Sequence, residues 1–144
     1  MTPITPAELR RLTLAGGAAI AVLLAYWTLW YVARDQVQSD TTHAYYDFEN
    51  AFPLADAWLG GCVLLAVHAV RTGRPTGLLW LLTGGGAGIY LFCMDVLYDL
   101  EHGSYAKGVG GLVELGINVL TLGLSVWFVR WSWTRREALL RMPG

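Results

Sequence analysis

Four long runs of hydrophobic residues alternate with short polar segments along the 144-residue chain. The runs cover residues 12–33, 51–70, 77–98 and 109–131, and each has the ~20 residues that a helix needs to cross a bilayer. Only the six residues RTGRPT (71–76), with the short loop TGRPT, separate the second run from the third, which makes these two helices antiparallel neighbours. The pattern predicts an all-α fold, with residues 1–144 forming one integral membrane domain, an antiparallel four-helix bundle.

Composition agrees with a membrane protein. Hydrophobic residues make up 55% of the chain and charged residues 15%, which leaves too little polar surface for a soluble domain of this size. No basic tract with interleaved aromatic residues is present, and this disfavours nucleic-acid binding. The first run is longer than the ~7–15 apolar residues of a secretory signal and ends in YWTLWY instead of a small-residue cleavage site, so we expect a retained helix.

Charged residues divide between the two sides of the predicted bundle. The basic residues on one side are Arg10, Arg11, Arg71, Arg74, Arg130, Arg135, Arg136 and Arg141. The two loops on the other side are mainly acidic, so the positive-inside rule places both termini in the cytoplasm of a multi-pass protein of the plasma or inner membrane. Membrane lipids are its expected partners. The tail TRREALLRMPG (134–144) is expected to extend the fourth helix, and residues 34–50 to include a short helix on the membrane surface.

The stretch MDVLYDLEHG ends the third run with acids inside an apolar helix. Asp95, Asp99 and His102 are spaced i, i+4, i+7 and therefore share one helix face. The same face contains Gly84 and Gly88, whose small size permits close contact with a neighbouring helix. The acids are therefore expected on the packed side of this helix.

The second and fourth runs contain matching polar residues. Glu114 and Asn118 begin a stripe that continues at helical spacing to Ser125, and Asp56 lies near the start of the second run. Counted from the helix ends at ~1.5 Å per residue, Asp56, Asp95 and Glu114 have similar depths of ~6 Å. Ionisable groups at membrane depth are costly and are functional candidates by default. Clustered acids must share protons or bind a cation, and they predict a pocket open to the extracytoplasmic side.

Ligand binding in this pocket is the leading hypothesis, with a cationic, metal or amphipathic lipid-like ligand. The expected ligand-binding residues are Asp95, Asp99, His102, Glu114, Asn118, Asp56, Trp58, Tyr46 and Tyr98. The aromatic members of this set suit cation–π contact. A divalent cation is the narrower version, held by Asp95, Asp99 and His102, with His43 as another possible ligand, although no HExxH motif is present. A purely structural role, in which the acids only lock helix packing, is the competing interpretation.

A membrane-embedded acid–base enzyme is the second hypothesis, with Asp95, Glu114 and Asp56 as catalytic residues. Carboxyl groups in a dry pocket can protonate an alkene or move a proton between carbons, as an isomerase or cyclase of lipids or isoprenoids requires. The helix count, the short second loop and the acids in the second and third helices resemble the EXPERA group of sterol isomerases and sterol sensors. This likeness is architectural and implies no role for any single residue.

The phrases YYDFENAFPLADAWL (45–59), DVLYDLEHGSY (95–105) and VELGINVLTLGL (113–124) resemble small four-helix membrane proteins of GC-rich bacteria. This resemblance implies the fold and no particular activity. A third hypothesis is an accessory or transport subunit that uses the stripe from Glu114 to Ser125 as part of an ion path. Four helices are few for a through-channel, so transport would require a homo-oligomer, joined through the glycine-bearing faces.

Overall fold

A computed structural model describes residues 3–143 of the chain and shows a bundle of α-helices. The α-helices are α1 (Pro6–Val32), α2 (His43–Glu49), α3 (Phe52–Arg71), α4 (Thr76–His102), α5 (Gly108–Thr134) and α6 (Arg136–Leu140). Two short 3₁₀ helices, Arg34–Gln36 and Ser104–Ala106, lie in the connections. No strand occurs among the described residues, so the all-α prediction is confirmed.

Four helical segments are long and apolar enough to cross a membrane. They are Pro6–Val32, His43–Arg71, Thr76–His102 and Gly108–Thr134, the second of which combines α2 with α3. Each predicted run lies within one of these segments to within a residue. The third is extended at its end, because α4 continues past Tyr98 to His102.

Local sequence signals explain where the helices begin and end. Thr5 and Glu8 form a reciprocal capping box at the start of α1, with Pro6 in its first turn. Thr42 caps α2 by accepting a hydrogen bond from the backbone N–H of Tyr45. Gly103 ends α4 in the left-handed conformation (φ 62°), which glycine adopts without steric cost.

Helix α4 lies between α3 and α5 and packs against both along its length. Its glycines allow the close approach: a Cβ at Gly84 would lie 3.0 Å from the Cβ of Cys62 in α3, and one at Gly88 would overlap the Ser125 side chain in α5. Helix α1 packs on α3 but contacts α5 at few positions. A gap therefore remains between α1 and α5.

The two ends of the bundle differ. At the end where α1 and α4 finish, here called the acidic end, there is a buried, mainly aromatic cluster of Trp30, Val37 and Tyr45. At the opposite or basic end, α6 folds back beneath the bundle, and its Leu139 is buried in the same apolar cluster as Leu12 of α1. The expectation that the tail extends the last helix is therefore wrong, since burial of Leu139 favours the return of the chain.

Candidate functional site

A cavity of about 110 Å³ lies inside the bundle, between α1, α3, α4 and α5, with Glu49 at the end of α2. Four carboxyl groups line it, those of Glu49, Asp56, Asp95 and Glu114. None of the lining residues is Lys, Arg or His. Away from the acids the walls are mainly apolar, with Val63, Leu91, Leu124 and Phe128 among them. The cavity thus has one acidic region and one hydrocarbon region.

Glu114 is the most enclosed of these acids, with 4% of its surface exposed. Its Oε1 accepts a hydrogen bond of 2.6 Å from the hydroxyl of Tyr45, which in turn accepts one from the backbone N–H of Ser39. Its Oε2 is buried without a hydrogen bond of ordinary length and angle, and the Ser39 hydroxyl and the Asp99 carboxyl group lie beside it. A buried carboxyl oxygen without a well-formed hydrogen bond is costly, and it is therefore the natural contact for a ligand that donates a hydrogen bond.

Asp99 lies behind the cavity wall, fully enclosed by protein. It accepts a hydrogen bond of 3.0 Å from the amide of Asn118, which also lies 3.0 Å from the hydroxyl of Tyr105. Burial, together with the neighbouring charge of Asp99, raises the pKa of Tyr105 to about 12. The Tyr105 hydroxyl therefore stays protonated at neutral pH.

Two further acids are held by aromatic donors from α1. The hydroxyl of Tyr26 donates to Glu49 at 2.7 Å, and the indole N–H of Trp27 donates to Asp56 at 2.9 Å. Because Tyr26 and Trp27 also line the cavity, aromatic side chains and carboxyl groups border the same space. This combination suits an organic cation.

The exposed part of the cavity lining belongs to α1 and α5, which contact each other at few positions. Only two lining residues are substantially exposed, Val22 of α1 and Leu120 of α5, each at 37%. At the acidic end Tyr45 and Trp30 pack with ring centroids 5.9 Å apart and cover the carboxyl groups. The sequence predicted a pocket open at that end; the structure shows Trp30 and Tyr45 fully buried there, and the exposed lining residues lie on α1 and α5.

The structure brings together most of the acidic residues that the sequence predicted. Asp56, Asp95, Glu114 and Asn118 all line the cavity, and Asp99 binds Asn118 directly. Asp95 lies within electrostatic range of the other three acids in this group. The polar stripe of α5 also reaches the cavity, through Thr121 and Ser125.

Four other predicted ligand-binding residues lie outside the cavity. His102 is exposed at the end of α4. Its Nδ1 binds the carbonyl oxygen of Tyr98, and its ring stacks on that of Tyr98 with the ring centroids 4.0 Å apart. Tyr98 itself stacks on Phe48 at 3.9 Å. The hydroxyl of Tyr46 donates to Gln38, and Trp58 is 56% exposed on the outer surface of α3.

A metal site built from Asp95, Asp99 and His102 is not formed, since His102 points away from the acids. Across residues 3–143 no three His, Cys, Asp or Glu side chains are grouped so as to hold a metal ion. His43 pairs with Asp47 on the exposed surface of α2 and does not line the cavity. The divalent-cation hypothesis therefore has no geometric support.

Four residues of the site were missed by sequence reasoning, namely Glu49, Tyr26, Trp27 and Tyr45. Glu49 had a detectable signal, because it precedes Asp56 by seven residues, the spacing of two helical turns. The aromatic residues had none, since ends of membrane helices are commonly rich in Tyr and Trp that only anchor the interface.

No known protein family, curated protein or solved structure matches this chain. Interpretation of the cavity therefore rests on its geometry and chemistry. A carboxyl-lined space with aromatic donors and apolar walls can bind a positively charged amphiphile, and carboxyl groups so enclosed can also exchange protons with a ligand.

Proposed function

We propose that this chain is a multi-pass membrane protein, with both termini cytoplasmic, whose intramembrane cavity binds an organic cation with an apolar group. One observation carries the proposal: four carboxyl groups line the cavity, and none of the lining residues has a basic side chain. An ammonium group supplies both the missing positive charge and hydrogen-bond donors.

The energetics favour a cation over a neutral ligand. Ionised carboxyl groups at membrane depth cost several kcal/mol unless an opposite charge or a proton neutralises them. A bound ammonium group would remove part of this cost for several acids at once. The apolar walls toward Phe128 would cover the hydrocarbon part of the same molecule, and Tyr26 and Trp27 would add cation–π contact.

The test compares two ligands of equal shape and different charge, n-hexylamine and 1-hexanol. Their size suits the cavity, because about 110 Å³ accommodates roughly seven water-sized groups at ~15 Å³ each. Thermal unfolding is followed for the protein in phosphatidylcholine nanodiscs. Hexylamine is expected to raise the melting temperature, and hexanol to leave it nearly unchanged.

Matched variants show whether the cavity is responsible. Asp95→Asn and Glu114→Gln should abolish most of the hexylamine response, whereas Glu101→Gln, at an exposed acid of the same α4, should keep it. Equal responses to both ligands, or an unaltered hexylamine response in the two cavity variants, would show that the acids do not bind a cation.

An acid–base enzyme is the second candidate function, favoured by the short Tyr45–Glu114 hydrogen bond beside Asp99. A proton held among these groups is positioned for transfer to an unsaturated lipid. The check is deuterium transfer from D₂O to the carbon skeleton of farnesol, measured by mass spectrometry. The enzyme hypothesis predicts incorporation by the native protein and none by Glu114→Gln. Absence of incorporation by the native protein would count against activity on this substrate class.

A further inference from the structure

The exposed side of the cavity, here called its opening, determines which molecules can reach it. Val22 and Leu120 are the two exposed residues of the cavity lining, and the neighbouring exposed residues of α1 and α5 are also apolar, among them Leu24, Leu115 and Val119. In a bundle that crosses a membrane, such surfaces lie in hydrocarbon. The opening therefore faces the lipid chains of the bilayer.

The aqueous route is closed at the acidic end. Trp30, Val37 and Tyr45 are almost completely buried there, and the ion pair between Lys107 and Asp40 joins the segment before α2 to the start of α5. Gly110 lies directly against the carbonyl group of Gln38, so the same segment packs tightly on α5. Access from water would require this packing to separate.

The shape of the cavity indicates the form of its ligand. Along α5 the lining extends from Glu114 to Phe128, which is ~21 Å at 1.5 Å rise per residue. The free space beside this long wall is small, about 110 Å³. It fits a single hydrocarbon chain better than a fused ring system.

We propose that the ligand is a single-chain lipid with a positively charged amine head group, which enters sideways from the bilayer between α1 and α5. This inference rests on the proposed function and specifies its ligand class and route. The head group reaches Asp56, Asp95 and Glu114, while the chain lies along the apolar wall and extends through the opening between Val22 and Leu120. A water-soluble amine would need no such opening.

The experiment uses a photoreactive long-chain amine, hexadecylamine with a mid-chain diazirine, in phosphatidylcholine nanodiscs. After illumination, mass spectrometry of peptides locates the labelled residues. We expect labelling of α1 near Val22 and of α5 between Leu120 and Phe128, and we expect excess unlabelled hexadecylamine, but not hexadecanol, to compete. Labelling spread evenly over all lipid-facing helices, without competition, would overturn the proposal.

Substitution of the opening tests the route. Leu120→Trp narrows the opening and should lower labelling by about tenfold, an effect of roughly 1.4 kcal/mol. Leu115→Trp is the control, since Leu115 is also exposed on α5 but does not line the cavity. Val22→Trp narrows the opening from the α1 side and replaces Leu120→Trp if that variant does not fold. Unchanged labelling in both opening variants would overturn the sideways route.

Short and long amines separate this inference from the proposed function. A melting response to n-hexylamine that depends on Asp95, without site-specific labelling by the long-chain amine, would overturn the lipid ligand and leave the cation site intact. No response to either amine would overturn both. A cooperative thermal transition of Leu120→Trp without ligand, near that of the native protein, shows that the variant is folded.

Discussion

Hydrogen bonds to individual acids organise the cavity. Glu49, Asp56 and Glu114 each accept one from an aromatic residue, respectively Tyr26, Trp27 and Tyr45. These donors come from α1 and α2, whereas the acids belong to α2, α3 and α5, so each bond also fixes the position of one helix against another. A buried polar network of this kind stabilises a single arrangement only when its members are satisfied. The Oε2 of Glu114, without a hydrogen bond of ordinary length and angle, is the exception.

Tyr45 and Tyr46 offer a matched test of this network. Tyr45→Phe leaves Oε1 of Glu114 without its donor in a buried site and should lower the free energy of unfolding by about 1–3 kcal/mol. Tyr46→Phe removes a bond to Gln38 at a half-buried position and should cost about 0.5–1.5 kcal/mol. Reversible denaturant unfolding in mixed micelles measures both. An equal effect of the two substitutions would contradict a special role for the Tyr45–Glu114 pair.

The ion pair of Asp40 with Lys107 predicts a pH dependence at the acidic end. The Lys107 ammonium group and the backbone N–H of Thr41 hold the pKa of Asp40 below its ordinary value of 3.8. The carboxylate therefore stabilises the fold above pH 3.8, and this contribution disappears as pH falls through the lower folded-state pKa.

The measurement is the difference in unfolding free energy between the native protein and Asp40→Asn. It should be small at neutral pH, about 0–1 kcal/mol for an ion pair near the surface, and should approach zero in acid. Glu101→Gln serves as the control at an exposed acid. A difference that grows on acidification would refute the assignment.

Small residues on α4 allow this helix to pack closely against α3 and α5. A Cβ at Gly85 would lie 2.6 Å from Val129 and 3.0 Å from the carbonyl oxygen of Ser125, so the α5 backbone itself limits the space. The neighbouring Gly86 has no atom within 4 Å of such a Cβ. The glycines of TGGGAG therefore differ sharply in what surrounds them.

Gly85→Ala should separate α4 from α5 and destabilise the protein by about 1–3 kcal/mol, as overpacking of a tight contact commonly does. Gly86→Ala is the matched control and should be neutral or slightly stabilising, because alanine has the higher helix propensity. Thermal unfolding of the two variants in the same lipid gives the comparison. Similar melting temperatures would mean that the α4–α5 contact is looser than described.

The orientation of the whole molecule in the membrane is expected to follow from the distribution of its charged residues. Arginines are concentrated at the basic end, where α6 packs under the bundle, and the carboxyl cavity lies toward the other end. Insertion with the basic end inside follows the general bias of Lys and Arg toward the cytoplasm. The cavity would then lie in the outer half of the bilayer.

Cysteine labelling of intact cells tests this orientation. In a variant with Cys62 and Cys93 replaced by alanine, Thr41→Cys should react with a membrane-impermeant maleimide, whereas Thr72→Cys should react only after permeabilisation. Both positions are exposed, so differences in labelling report the side of the membrane. Reaction of Thr72→Cys alone in intact cells would reverse the orientation.

Much of the fold was predictable because its signals are local. Uninterrupted apolar runs specify helices of membrane-spanning length, and caps such as Thr5 and Gly103 specify their ends. Helical periodicity also placed Asp95 and Asp99 on the face of Gly84 and Gly88, and that face is the packed one. These properties depend on one helix at a time.

Contacts between helices determined the features that the sequence did not predict. His102 shares the nominal face of Asp95, yet at the end of α4 it stacks on Tyr98 and remains exposed. Tyr45 belongs to the segment that the sequence placed on the membrane surface, and it is instead buried against Glu114, because α2 packs into the bundle. The sequence by itself determined the helices and most of the acidic residues. Tertiary structure alone determined which aromatic residues join them and that the exposed part of the cavity lining lies on α1 and α5, since these depend on how neighbouring helices are rotated and spaced.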